Sequence, residues 1–144
     1  MDWIYKVIEY VEDNLKNSMT IEDIAAVSGY SERHFQRVFR ERTADSIMDY
    51  IRGRRLTLAM EEIISSQKSI IDIAFEYQFE SQQNFTRAFQ SRFMFPPRRF
   101  RNNELHNPPS AKKRLTEAYL GMIAREELTL EPEIIQKKEK IFIG

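Results

Sequence analysis

Residues 81–101 read SQQNFTRAFQSRFMFPPRRFR, and the fold follows from how this stretch is understood. Phe85, Ala88, Phe89 and Phe93 recur at steps of three, one and four, which puts them on one face of a helix. The opposite face carries Gln82, Gln83, Thr86, Arg87 and Gln90. No acid interrupts the stretch, and Arg87, Arg92, Arg98, Arg99 and Arg101 give it five positive charges. A helix buried on one side and lined with Gln, Thr and Arg on the other suits a polar, anionic partner. The DNA major groove is such a partner, because Arg pairs bidentately with guanine and Gln with adenine. A single segment of this kind is also what an ordinary solvated helix face looks like, so the rest of the chain must decide.

The decision comes from an internal echo. Thr20-Ile21 recurs as Ser69-Ile70 and Asp23-Ile24-Ala25 as Asp72-Ile73-Ala74, with an offset of 49. Phe35, Arg37, Phe39 and Arg42 recur as Phe85, Arg87, Phe89 and Arg92, with an offset of 50. The extra residue falls at the turn around Glu80 and Ser81. In the first copy, Thr20 and Asp23 have capping-box spacing ahead of Ile24, Ala25 and Val27. Gly29 stops that helix. Ser31 then caps a helix with Phe35, Val38 and Phe39 inside and Arg33, Gln36, Arg37 and Arg40 outside. A short helix, a tight turn and a second helix with a basic outer face make a helix-turn-helix. The chain therefore holds two such units.

Ahead of them, Trp3, Ile4, Val7, Ile8, Val11 and Leu15 form a helical stripe with Asp2 as N-cap, ended by the polar residues Asn14 to Ser18. Between the units, Ser46 caps a helix running to about Ser66, with Ile47, Tyr50, Ile51, Leu58, Ala59 and Ile63 turned inward. About 20 helical residues span roughly 30 Å, against about 34 Å between successive major-groove entries on one face of B-DNA. One polypeptide of this design needs no symmetric partner to reach both. Arg52, Arg54 and Arg55 on this helix are read either as phosphate contacts or as a solvated cluster. Pro96 and Pro97 open a last short helix, with Phe100 packed back on the core and Arg98, Arg99 and Arg101 read either as phosphate contacts or as plain surface, the former preferred.

Composition fits this reading. At 144 residues, 42% hydrophobic and 12% aromatic, the chain can bury one large or two small cores. No apolar run approaches the ~20 residues that span a bilayer, the N-terminus MDWIYKVIEY lacks the features of a secretion signal, and cysteine is absent. A cytoplasmic protein is expected, with no membrane partner. Net charge is zero but unevenly spread: residues 1–32 carry seven acids and two lysines, while residues 81–101 carry five arginines and no acid. A nucleic-acid reader needs a basic face rather than a basic total. Catalysis is disfavoured, because His34 and His106 are the only histidines and neither metal-ligand spacing nor a glycine-rich phosphate loop is present. No cofactor, metal or catalytic residue is expected. The competing class is a helical interaction module whose basic faces hold an acidic protein partner.

The order GYSERHFQRVFRER, YIRGRRLTLA, IDIAFEYQFESQQNFTRAFQSRF and PPRRFR resembles the AraC/XylS transcription regulators, in particular their single-domain activators of the MarA/SoxS/Rob type. The resemblance covers about residues 3–103. It implies an all-α domain over residues 1–103: two helix-turn-helix subdomains joined by a long linker helix, seven helices in all. It further implies two recognition helices in successive major grooves, bending of the DNA, monomeric binding and activation through RNA polymerase. Carried over by position, the base-reading residues are Arg33, Gln36 and Arg37 in the first unit and Gln82, Gln83, Thr86 and Arg87 in the second. Ser31, Arg40, Arg54, Arg98 and Arg99 are assigned to phosphates. Arg33 stands where relatives can carry Trp, so first-half-site preference should differ.

Ala44, Gln78 and Met94 stand where the family often has glycine. A left-handed backbone at Gln78 costs about 1 kcal/mol, which Gln78→Gly is expected to recover. Residues 104–144 read as an extension, with LHNPPSAKK as linker, a helix through Leu115, Ala118, Tyr119, Met122 and Ile123, and a strand in IIQKKEKIFIG. This extension resembles the start of a GyrI-like effector-binding domain, which makes the chain a fragment; the alternatives are a tail that packs on the helical domain or pairs between chains. A bound effector is then expected if a complete C-terminal domain follows.

Overall fold

Polar caps set where the helices begin. The computed structural model describes residues 2–102 and 110–116, and among them lie α1 (Trp3–Asp13), α2 (Ile21–Ser28), α3 (Glu32–Thr43), α4 (Ile47–Ser65), α5 (Ile70–Glu76), α6 (Gln82–Phe93) and α7 (Pro97–Arg101). The Thr20 hydroxyl accepts from the Asp23 amide at 3.0 Å while the Thr20 amide donates to the Asp23 carboxylate at 3.3 Å, which completes the expected capping box. Ser31, Ser46, Ser69 and Ser81 each accept from the backbone N–H three residues on. The repeat therefore extends to the caps, Thr20 with Ser69 and Ser31 with Ser81. The described residues contain no strand; the strand expected in IIQKKEKIFIG lies outside them.

The chain forms two compact units. The first takes α1, α2, α3, the first turn of α4 and residues 114–116. Ile4, Val7, Ile8 and Val11 of α1, Ile24 and Ala25 of α2, and Phe35 and Phe39 of α3 are its buried hydrophobic residues, together with Ile47, Tyr50 and Leu115. The Tyr50 ring lies 6.2 Å from that of Phe39. Its hydroxyl donates to Glu12 at 3.0 Å and accepts from the Leu115 amide at 3.2 Å.

The second unit takes residues 14–18, the remainder of α4, α5, α6, α7 and residues 110–113. Its core joins Leu56, Ala59, Met60 and Ile63 to Ile73, Ala74 and Tyr77, and to Phe85, Ala88, Phe89, Phe93 and Phe100. Phe100 is buried at the heart of this set, as the sequence suggests.

Helix α4 departs from the expected single stripe. Leu56 and Met60 are buried as well as Ile51, Ala59 and Ile63, and so are Gly53, Arg54 and Thr57. A helix covered on most of its circumference has no amphipathic period to betray its inner face. Residues 110–113 are part of that cover rather than a detached linker. The Lys112 amide donates to the Thr57 hydroxyl at 2.7 Å, and the Lys112 carbonyl accepts from Arg54 at 2.8 Å. A Cβ on Gly53 would lie 2.9 Å from the Lys112 Cβ. Glycine inside a helix costs about 1 kcal/mol relative to alanine; here it admits the passing chain. Residues 111–116 carry no helix, which corrects the reading at Leu115, buried though it is. Ala118, Tyr119, Met122 and Ile123 lie outside the described residues.

Ala44, Gln78 and Met94 all have positive φ, at 64°, 71° and 76°, alongside Gly29 at 82°. All three suspected positions thus take the left-handed backbone that favours glycine. At Gln78 the amide donates to Phe75 and that of Phe79 to Ala74, a Schellman arrangement. The Gln78 side chain also donates to the Lys16 carbonyl at 2.8 Å and accepts from the Ser18 hydroxyl at 3.4 Å. These bonds offset the strain, so Gln78→Gly is now expected to leave stability nearly unchanged rather than raise it. Met94 is 73% exposed. Met94→Gly should therefore raise stability by about 0.5–1 kcal/mol, relief of strain exceeding the added chain entropy. Chemical denaturation of the two variants side by side checks the contrast.

Candidate nucleic-acid interface

The outer stripe of α3 begins one residue past its Ser31 cap. Arg33, Gln36, Arg37 and Arg40 are all exposed, at steps of three, one and three along the same face. Phe35 and Phe39 anchor the opposite side with no exposed area. On α6 the pattern repeats: Gln82, Gln83 and Arg87 are exposed and Thr86 half-buried, above fully buried Phe85 and Phe89. The N-cap Ser31 is exposed beside the first turn of α3, next to backbone N–H groups that favour an anion. Each unit in itself thus presents the side chains assigned to reading along one helix face.

Two of the reading arginines are held. An Arg37 Nη2 lies 3.0 Å from Nδ1 of His34, and its Nη1 lies 3.7 Å from Glu41, both members of that ion pair being exposed. Arg87 Nη1 donates to Asn84 Oδ1 at 3.2 Å. His34 stands at the border between the buried and the exposed face of α3. The ring is half-buried, 4.5 Å from that of Tyr30, and Tyr30 in turn meets Trp3 edge-on at 5.4 Å. The signal for it was present in the repeat, since His34 and Asn84 both stand three residues before an arginine and 50 residues apart.

Other arginines are engaged within the protein. Arg54 is only 8% exposed and donates to the Lys112 carbonyl; its assignment to phosphate is corrected, because a buried guanidinium bonded to a carbonyl has no path to a DNA backbone. Arg55 donates to the carbonyls of Leu15 and Asn17, both at 2.8 Å, and so closes the turn after α1. Arg92 donates to Ser110 and Arg101 to the carbonyl of Ile63, at 2.8 and 3.0 Å. Of the five arginines between 81 and 101, Arg87 and Arg98 remain exposed. Arg99 lies half-buried with its guanidinium 4.7 Å from the centre of the Phe95 ring.

Arg42 is paired with Asp2 at 2.8 Å, and the Asp2 carboxylate also accepts from the Ile4 amide. Chiefly through the Arg42 hydrogen bond, the Asp2 carboxyl is held below its ordinary range. The folded value being the lower one, the pair's contribution is complete above the unfolded carboxylate value of about 3.9 and vanishes as pH falls through the folded value. Both partners are more than a third exposed, so solvent screening limits the pair to about 0.5 kcal/mol. Asp2→Asn keeps the helix cap. It should lower Tm slightly at pH 7, by an amount that shrinks as pH falls below the unfolded carboxylate value, which a series of thermal melts will show.

No group of three or more potential metal ligands occurs among the described residues, and no helix among them is long and apolar enough to cross a membrane. A family profile described as a helix-turn-helix domain matches residues 24–103. The chain is 37% identical over 103 residues to the multiple antibiotic resistance protein MarA of Salmonella typhimurium, covering 72% of this chain and 81% of that protein. It is 39% identical over 98 residues to the transcriptional activator AarP of Providencia stuartii, covering 68% of this chain and 73% of that one. Among solved structures, an AraC-type DNA-binding transcriptional regulator from Chromobacterium violaceum superposes with a TM-score of 0.67 at 24% identity, over 74% of this chain and 95% of that one.

Proposed function

The chain belongs to the AraC-type helix-turn-helix family of DNA-binding transcription regulators, and from that premise we propose that it reads two successive major-groove segments, one with α3 and one with α6. Arg33, Gln36 and Arg37 read bases in one half-site; Gln82, Gln83, Thr86 and Arg87 read them in the other. Ser31, Arg40, Arg98 and Arg99 hold phosphates, and Arg54 leaves that set. The protein binds as a monomer and activates transcription through contact with RNA polymerase in the cytoplasm. Residues 1–103 form the reading domain, with residues 110–116 packed on it, and the remainder of residues 104–144 is assigned to an effector-binding domain that takes a small ligand.

The observation that carries this reading is the duplicated stripe: the same polar side-chain classes, on equivalent helices, start from equivalent serine caps over equivalent buried phenylalanines. A partner-binding face has no need to be built twice to one plan. Selection from random duplexes followed by footprinting tests it, and two protected half-sites about one helical turn apart are expected. Affinity should fall steeply with salt as phosphate contacts release counterions, and removing Arg40 or Arg98 should each reduce the slope of log K against log salt by about one. Failure to bind any duplex would instead favour an acidic protein partner.

A further inference from the structure

We propose that His34 and Asn84 are matched positioning residues for the base-reading arginines Arg37 and Arg87, and that the histidine makes reading in the α3 half-site alone sensitive to protonation. The inference rests on the base-reading roles proposed above. Its geometry is a repeat within the repeat. Each residue is the third of its helix, each donates its backbone N–H to the capping serine, and each offers a side-chain acceptor to the arginine three residues on. One position in each unit thus ties the helix start to the orientation of its reading guanidinium. A guanidinium already held loses less freedom on meeting a base than one that samples solvent.

The two holders differ in chemistry. Arginine has donors only, so the 3.0 Å contact at Nδ1 of His34 is a hydrogen bond in the neutral tautomer that carries its proton on Nε2. Protonation turns Nδ1 into a donor, removes the acceptor and sets a second cation beside Arg37. The Oδ1 of Asn84 remains an acceptor at any physiological pH. Beside His34 lie Arg37, with its exposed pair partner Glu41, and the phenol-bearing ring of Tyr30 in the turn, while Glu32 and Arg33 flank it, exposed, in the first turn of α3; α1 reaches Tyr30 through Trp3, which does not titrate. Imidazole changes charge within about pH 5–8. Lowering pH therefore adds positive charge, which strengthens attachment to any duplex, while it loosens the arginine that discriminates. Affinity and specificity should move in opposite directions.

The readout is accordingly a ratio: affinity for the selected operator over affinity for the same duplex changed at one base pair. The informative pairs are those whose identity ceases to matter in Arg37→Ala and in Arg87→Ala. Between about pH 8 and about pH 5.5, the ratio at the Arg37 pair should fall about threefold to tenfold, while the ratio at the Arg87 pair stays level. His34→Asn should keep discrimination and abolish its pH dependence; Asn84→His should transfer the dependence to the second half-site. The two swaps are independent, so poor folding of one leaves the other decisive. A level ratio at the Arg37 pair in the native chain overturns the inference, as does a slope that survives His34→Asn. If Arg37→Ala relaxes no position at all, base reading by Arg37 fails and the positioning role falls with it.

Discussion

Replacing Phe89 with alanine is expected to cost about 3–5 kcal/mol, the cost of losing a fully buried aromatic side chain. Phe89 has no exposed area, and its ring meets Phe85 at 5.4 Å, Phe93 at 4.7 Å and Phe100 at 5.3 Å. These neighbours come from α6 and α7, so the loss strikes the side of α6 that keeps its reading face in place. Domains of this kind are stable by only about 5–15 kcal/mol, and the substitution should remove a large share of that in the second unit. Denaturant unfolding followed by far-UV circular dichroism checks it, with Phe89→Leu as the milder comparison. A cost below about 1 kcal/mol would mean that Phe89 is not the centre of its core.

The second large effect concerns binding. Arg87→Ala should weaken operator binding by about 1–3 kcal/mol and relax preference at one base pair of one half-site, because a bidentate contact to guanine is lost with the guanidinium. Arg87 is exposed and bonded only locally, to Asn84, so the change leaves the core intact and Tm nearly unmoved. Gln36→Ala on α3 should behave alike in the other half-site. Competition binding against operators varied one base pair at a time measures both quantities together.

Much of this architecture is visible in the residues themselves. The repeat, the serine and threonine caps and the phenylalanine pairs at Phe35/Phe39 and Phe85/Phe89 are local patterns, and local patterns determine helix starts and faces. The strained turns at Ala44, Gln78 and Met94 emerge from the family resemblance, because a glycine position keeps its backbone when another residue occupies it. The destinations of the arginines are harder to read. Arg54, Arg55, Arg92 and Arg101 bond to carbonyls of Lys112, Leu15 and Asn17, Ser110 and Ile63, all at least 18 residues away. No periodicity distinguishes them from Arg87 or Arg98. Gln78 illustrates the same point: its strain is foreseeable from sequence, but its bonds to Lys16 and Ser18 depend on a turn some 60 residues earlier. The extra buried residues of α4 escape notice because a helix covered on most sides shows no stripe.

The central claim is that two equivalent helices read two different places. It is tested most directly by measuring Arg37→Ala and Arg87→Ala against one set of operators, each altered at a single base pair across both half-sites. The expected result is a reciprocal pattern, in which Arg37→Ala abolishes discrimination at a position in one half-site and Arg87→Ala at a position in the other, every other position keeping its preference. Equal loss of affinity by both variants on every duplex, with preferences unchanged, would contradict it.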